Sequence, residues 1–276
     1  MAAPAQLNGS SRAVHTSEAS SFRKRLSEYR PAIWRAASIA LFFLAWEIAG
    51  RIPISFAFPT FLETAKAFWG MLVDGSLVMA YAETLQPLVI GIAVSATIGI
   101  GVGVVMGLSR FAEWLVAPVF IVLQAAPMAA LIPLITFVYG IGLLAKTLAV
   151  IMLALPVIAL NGYKAVRNAN PSLVDMCRSF QGNWYQRIFK IIIPDASPVI
   201  FAGLRLGLAA GFIGVILAEL LITPTGIGDL ITYHRSVANY AEMYAAVVSI
   251  ILVSTLTLAA LEAFELRVLR PEKRKS

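Results

Sequence analysis

The sequence has 276 residues, of which 59% are hydrophobic and only 13% are charged. This composition excludes a disordered chain, a collagen-like repeat and a disulfide-rich secreted scaffold, and it leaves too little charge to cover a soluble domain. A mean hydropathy of +0.81 indicates that lipid is the main solvent. The net charge of +7 is typical of nucleic-acid binding unless the basic residues have another explanation.

The N-terminal region is polar before it becomes apolar. Residues 1–30 are rich in Ser and Ala, and we expect a disordered basic tail. The apolar run that starts at Arg35 resembles a signal peptide, but the polar lead is too long and Glu47 interrupts the run. We therefore assign residues 31–83 to a first spanning helix and a periplasmic segment.

Six apolar segments approach the length of about 20 residues that a helix needs to cross a bilayer. The chain is therefore predicted to be an all-α polytopic membrane protein. The predicted spans are 33–50, 84–108, 114–139, 144–163, 199–222 and 243–264. Because the third segment contains Pro118, Pro127 and Pro133, we expect it to be bent.

The basic residues lie between the apolar blocks, and they orient the chain. Six spans place both termini on one side of the membrane, and that side holds 18 of the 22 Lys and Arg residues. The positive-inside rule then places both termini in the cytoplasm. The opposite side holds Arg51, Lys66, Lys146 and Arg235, and we expect Lys146 and Arg235 to be outer-surface charges. Topology thus explains the net charge without nucleic acid.

Two spans carry small residues at every fourth position. The second contains Gly91, Ser95, Gly99, Gly103 and Gly107, and the fifth contains Gly203, Gly207 and Gly211. Such faces allow helix backbones to approach closely in lipid. They could pack within the subunit, or they could face a pore or a second subunit, and the sequence leaves both possibilities open.

The loop 164–198 has the pattern of two short helices. Asn170 followed by Pro171 is a helix start, with a capping side chain and then proline at the first position. Gly182 can end this helix. An apolar stripe on it comprises Leu173, Met176, Cys177 and Phe180.

A second short helix is predicted to begin at Trp184 and to be stopped by Pro194, with Ile188, Ile191 and Ile192 on one side. The first, amphipathic helix, which contains Asp175, could lie against the bilayer at the membrane exit. It could also insert into the groove of a cytosolic partner. The residues alone leave both alternatives open.

This loop resembles the EAA loop of ABC-importer permeases, the membrane subunits that separate ATPase subunits drive. Residues 175–180 match the first part of that pattern, and residues 191–198 match the last. Here Asp stands in place of the usual Glu, and Met and Cys replace two alanines. Gln181 occupies the usual glycine position, with Gly182 one place later.

The resemblance extends over roughly residues 60–265. Segments 83–85, 124–134, 139–142 and 226–230 look like the corresponding regions of the nitrate/sulfonate/taurine branch. The resemblance implies a type I ABC-importer permease fold with six spanning helices and a cytoplasmic coupling helix. In that fold residues 84–265 form the permease core, and 266–276 form a basic cytoplasmic tail.

The resemblance also implies a function in solute import rather than catalysis. Such a permease sits in the bacterial inner membrane and works with two cytosolic ATPases, a second permease subunit and a periplasmic or lipid-anchored solute-binding protein. ATP and Mg would be bound by the ATPases, and the solute would be small and anionic, like a sulfonate or nitrate. The alternative from a different class is a secondary transporter driven by an ion gradient, which would show internal repeats and midplane ionisable groups.

The residues that such a function would use fall into two groups. The predicted ATPase-coupling residues are Leu173, Asp175, Met176, Cys177, Phe180 and Gly182. The four apolar residues among them would fill the groove, Asp175 would hold a cation or a cap, and Gly182 would make the turn. Glu219 and Arg205 are candidates for the translocation path, since charges near hydrocarbon usually face a cavity or a partner. The alternatives are that Arg205 lies at the cytoplasmic interface and extends its charge to water, which we favour, and that Glu219 caps the outer end of the fifth span. No catalytic residues or metal ligands are expected.

Overall fold

A computed structural model describes residues 34–52, 57–222 and 224–269, and all the regular structure in these ranges is helical. The predicted tail 1–30 and most of the predicted tail 266–276 lie outside them. The chain divides into two units, residues 1–63 and residues 64–276, and each is described separately.

The first unit is built around helix α1, residues 34–51. Its Trp46 ring lies against Phe58 and Phe61. Glu47 forms an ion pair with Arg51 at 2.8 Å and accepts a hydrogen bond from the Leu62 amide. The helix coincides with the first predicted span, but its charges leave it outside the set of helices that are long and apolar enough to cross a membrane.

The remaining helices follow in short succession. They are α2 (Phe61–Val73), α3 (Ser76–Leu108), α4 (Arg110–Ala125), α5 (Met128–Tyr139), α6 (Leu143–Arg167), α7 (Pro171–Ser179), α8 (Trp184–Gln186), α9 (Ile193–Leu221), α10 (Ile227–Ser236) and α11 (Tyr240–Leu269). A π-helical turn, Arg187–Ile192, joins α8 to α9.

Four continuous helices in the described residues can cross a membrane: α3, α6, the stretch Trp184–Leu221 and α11. Helices α4 and α5 form a fifth candidate, bent by 100° at their junction. The bend confirms the expectation for segment 114–139, and it falls at Pro127, which is preceded by extended backbone at Ala126. Five of the six predicted spans therefore have a matching helix or helix pair of sufficient length.

Helix α6 packs against both α3 and α9, and the small residues make this possible. A Cβ atom added at Gly103 of α3 would lie 2.6 Å from the carbonyl oxygen of Ala159, and one added at Gly207 of α9 would collide with Ile158. The neighbouring glycines of both stripes meet α6 or its immediate neighbours in the same way. Both stripes thus pack within the subunit, which decides between the two possibilities that the sequence left open.

The predicted stop at Pro194 is wrong. The helix that begins at Trp184 continues to Leu221, and the proline lies in the first turn of α9. In a regular helix proline lacks the required amide hydrogen, and its ring meets the carbonyl four residues earlier. The wider turn of the π-helical residues, directly before Pro194, accommodates the ring without ending the helix.

Candidate functional site

The first candidate site is the hairpin formed by α7, α8 and the π-helical turn, which we call the α7 hairpin. Its start agrees with the prediction. The Asn170 side chain accepts a hydrogen bond from the Ser172 amide at 3.0 Å, and Pro171 occupies the first helical position. The Asn170 amide donates to the Asp195 carboxylate at 2.8 Å. This last bond ties the start of α7 to the start of α9.

The end of α7 is a Schellman turn. The Gly182 amide donates to the Cys177 carbonyl, and the Gln181 amide donates to the Arg178 carbonyl, both at 2.9 Å. Gly182 belongs to the terminating turn, as predicted, but the left-handed conformation falls on Gln181, with φ of 56°. Gly182 is required for a different reason, because a Cβ atom there would lie 2.5 Å from the Cys177 sulfur.

The second half of the hairpin is anchored to the spanning helices. Asn183 and Gln186 form a reciprocal capping box that starts α8. Ile188 and Ile192 then bury their side chains in a cluster, and Val174 of α7 packs against it. The other buried members of this cluster are Ala165, Val166, Ala196 and Ile200. The predicted apolar side of the second helix is therefore the side that holds the hairpin in place.

The predicted coupling residues lie on the side of the α7 hairpin that faces away from this buried cluster, or at the edge of that side. The Phe180 side chain is 81% exposed, and Met176 is also exposed, whereas Leu173 and Cys177 are half-buried. Asp175 is exposed and pairs with Arg178 at 3.2 Å, one turn along the same helix. Three further aromatic side chains of the hairpin are exposed, and sequence reasoning missed them: Trp184, Tyr185 and Phe189.

The first candidate for the translocation path, Arg205 of α9, is already paired with two carboxylates. Its guanidinium lies 3.3 Å from Glu262 and 3.1 Å from Glu265, both on α11. The Glu265 side chain is almost fully buried. The two carboxylates outweigh the single cation, so the group as a whole offers no net positive charge to an anion.

The second path candidate, Glu219, is buried near the end of α9 that lies away from the hairpin. Its carboxylate is 2.9 Å from the ammonium of Lys146, near the start of α6. The expectation that Lys146 is an outer-surface charge is wrong, because the residue is only 2% exposed. Sequence reasoning missed this pair since the two residues are 73 positions apart. The signal available was a Lys and a Glu within long apolar spans.

In neither of these two regions of the described chain are metal-ligating side chains grouped together. Among the described residues, no three His, Cys, Asp or Glu side chains are grouped closely enough to hold a metal ion. One region presents apolar side chains to its surroundings, and the other consists of ion pairs within apolar helices.

The sequence matches the family model of the binding-protein-dependent transport system inner membrane component over residues 95–270. The chain belongs to this family. It is 30% identical to the putative aliphatic sulfonates transport permease protein SsuC of Escherichia coli, over 82% of this chain and 81% of that protein. It is 28% identical to the riboflavin transport system permease protein RibX of Chloroflexus aurantiacus, over 87% and 90% of the two chains.

The fold agrees with this assignment. A solved structure of the MetNI methionine ABC transporter superposes with a TM-score of 0.60 at 19% identity, covering 71% of this chain and 99% of that one. The protein is thus a multi-pass inner-membrane permease subunit of an ABC importer, which works with ATPase and solute-binding partners. The family favours this function over a secondary transporter, and it places ATP hydrolysis in a separate subunit.

Proposed function

We propose that the α7 hairpin is the part of this permease that docks into a groove of the partner ATPase. The support is the exposure of large apolar side chains outside the bilayer-length part of the helices, above all Phe180 and Met176. Exposed apolar side chains on a helix are the usual anchors of helix-in-groove recognition. Leu173, Cys177 and the turn at Gly182 complete the docking helix, and Asp175 fixes its charge pattern through Arg178.

Movement of the ATPase would then be transmitted directly to the membrane-spanning helices. The hairpin is anchored by Val174, Ile188 and Ile192, and it continues without a break into α9. A stiff connection of this kind transmits displacement, whereas a flexible linker would absorb it. The surplus of Lys and Arg on the hairpin side supports a cytoplasmic position for it and for both termini.

We propose a small organic or inorganic anion of the sulfonate or nitrate class as the solute. The support is the similarity to permeases named for aliphatic sulfonates, while the riboflavin permease shows that relatives carry other solutes. Arg205 and Glu219 stay predictions as path residues. Because each is ion-paired, we assign the choice of solute to the binding protein. Two ATPases and a second permease subunit complete the proposed assembly.

The test of this function is the substitution Phe180→Asp in the assembled complex. A charge at the centre of an apolar docking surface must be desolvated, and such anchors carry about 2–4 kcal/mol of binding free energy. We expect loss of the ATPase on purification and loss of ATP-driven uptake in proteoliposomes. Membrane insertion should be unchanged because the side chain is exposed.

The matched control is Ser172→Asp, which adds the same charge at an exposed position at the other end of α7. It should retain both the ATPase and uptake. If Phe180→Asp retains wild-type uptake and a bound ATPase, the α7 hairpin is not the docking surface. Uptake of sulfonates by the wild-type complex with its binding protein tests the solute class separately.

A further inference from the structure

The buried pair formed by Lys146 and Glu219 is the centre of a larger network. Besides Glu219, the Lys146 ammonium contacts the carbonyl and hydroxyl oxygens of Thr225, at 3.1 and 2.9 Å. The hydroxyl of Thr84, in α3, lies 2.9 and 3.0 Å from the two carboxylate oxygens of Glu219. The three side chains therefore link α3, α6 and α9 to the turn that follows α9.

The turn between α9 and α10 is shaped to fit the carboxylate. The Gly228 amide donates to Glu219 at 3.0 Å, and the Ile227 amide donates to the Thr84 hydroxyl at 3.0 Å. Gly226 has a φ of +91°, and a Cβ atom at either glycine would collide with the Glu219 side chain. A side chain other than hydrogen at these two positions would push the turn off the carboxylate.

This network opposes displacement of the turn relative to α9 more strongly than apolar packing would. Displacing the turn would leave a carboxylate and an ammonium buried without partners, and such uncompensated charges are strongly unfavourable. The cluster is therefore either fully formed or broken. An apolar contact in the same place could shift by a fraction of a residue at little cost.

We propose that Glu219, together with Lys146 and Thr84, is a positioning residue for transport that fixes the far end of α9 to α3 and α6 throughout the cycle. The proposal rests on the proposed function, because the near end of α9 is the end that the α7 hairpin would move. A helix driven at one end and fixed at the other pivots. The π-helical turn, Arg187–Ile192, joins the α7 hairpin to that driven end of α9 without a break.

Hydrogen exchange tests this directly, because the amides of Ile227 and Gly228 bond to Thr84 and Glu219 rather than within α10. The measurement uses the permease–ATPase complex, nucleotide-free and trapped with ATP and vanadate. We expect the peptide that contains these amides to be protected to the same degree in both states. If this peptide exchanges roughly tenfold faster in one of the two states than in the other, the proposal is overturned.

Substitutions of the paired residues provide a second test of the proposal. Lys146→Met and Glu219→Gln should each lower solute transported per ATP hydrolysed by roughly tenfold and should raise exchange at residues 227–228. The double variant removes both charges and should recover at least part of that loss. Recovery in the double variant shows that the two charges act as a pair. Because coupling is measured per ATP hydrolysed by the folded complex, its loss reports positioning, whereas a folding defect would lower transport and ATP hydrolysis together.

The matched control is Asp229→Asn, which neutralises a carboxylate in the first turn of α10, one residue beyond the Gly228 amide. It should leave coupling and exchange unchanged. Single variants with wild-type coupling, or a double variant no better than the worse single one, would overturn the positioning role. A wild-type complex that does not transport would overturn the proposed function and this role with it.

Discussion

The packed helices α3, α6 and α9 and the α7 hairpin are both rich in apolar residues, yet they use them in opposite ways. In the packed helices, glycines such as Gly103 and Gly207 bring backbones together, and one pair of opposite charges, Lys146 and Glu219, is buried. In the hairpin, large side chains such as Phe180 and Trp184 are exposed. Small residues therefore mark contacts that the subunit completes by itself, and we propose that the large exposed residues of the hairpin mark a surface that a partner completes.

The largest effect is expected when one methyl group is added where the packed helices meet. Gly103→Ala would place its Cβ 2.6 Å from the Ala159 carbonyl and 3.0 Å from the Tyr163 amide nitrogen. Because both are backbone atoms of α6, they cannot turn aside. We expect a loss of about 3 kcal/mol in the free energy of unfolding. Thermal unfolding of the detergent-purified protein measures it.

The control for this substitution lies two residues away on the same helix. A Cβ atom at Gly101 would meet no described atom within 4 Å. Gly101→Ala should therefore be neutral or stabilising by up to about 1 kcal/mol, the difference in helix propensity. Equal losses in the two variants would show that α3 does not pack on α6 through its glycine stripe.

Local signals in the sequence predicted some of the helix limits but could not predict long-range pairing. Asn170 and Pro171 fixed the start of α7, and Pro127 fixed the bend between α4 and α5, since capping and proline act on adjacent residues. The partner of Glu219 could not be predicted, because Lys146 is brought to it only by the packing of α6 on α9.

The misjudged proline has a related cause. Pro194 is normally a stop signal, but the outcome depends on whether the preceding turn can widen. Here that turn is π-helical, and its Ile188 and Ile192 are buried in the cluster that anchors the hairpin. Tertiary packing decided what the local pattern could not.

A smaller effect is expected at the turn that ends α7. Gly182→Ala would bring a Cβ atom to 2.5 Å from the Cys177 sulfur and 2.9 Å from its carbonyl oxygen. We expect about 1–2 kcal/mol of local destabilisation of the α7 hairpin. Hydrogen exchange of the peptide that covers residues 171–182 would report it as faster exchange, with global unfolding nearly unchanged.

The neighbouring position should respond in the opposite direction. Gln181 has a φ of 56°, which costs a residue with a Cβ about 1 kcal/mol more than glycine. Gln181→Gly should therefore slow exchange of the same peptide. If both variants loosen the turn equally, Gly182 is not selected by its close approach to Cys177.

The smallest effect is expected at a buried hydroxyl in the glycine stripe of α3. Ser95 is fully buried, and its hydroxyl has no hydrogen-bond partner among the described residues. Ser95→Ala removes this unsatisfied group and should stabilise the protein by about 0.5–1 kcal/mol.

The matched variant is Ser249→Ala, because the equally buried Ser249 hydroxyl accepts a hydrogen bond from Tyr81 at 2.8 Å. That variant should destabilise by about 1 kcal/mol, so the two serines should shift the unfolding temperature in opposite directions. A loss in both would mean that Ser95 is held by a partner, and the stripe would then contain a polar contact rather than pure close packing.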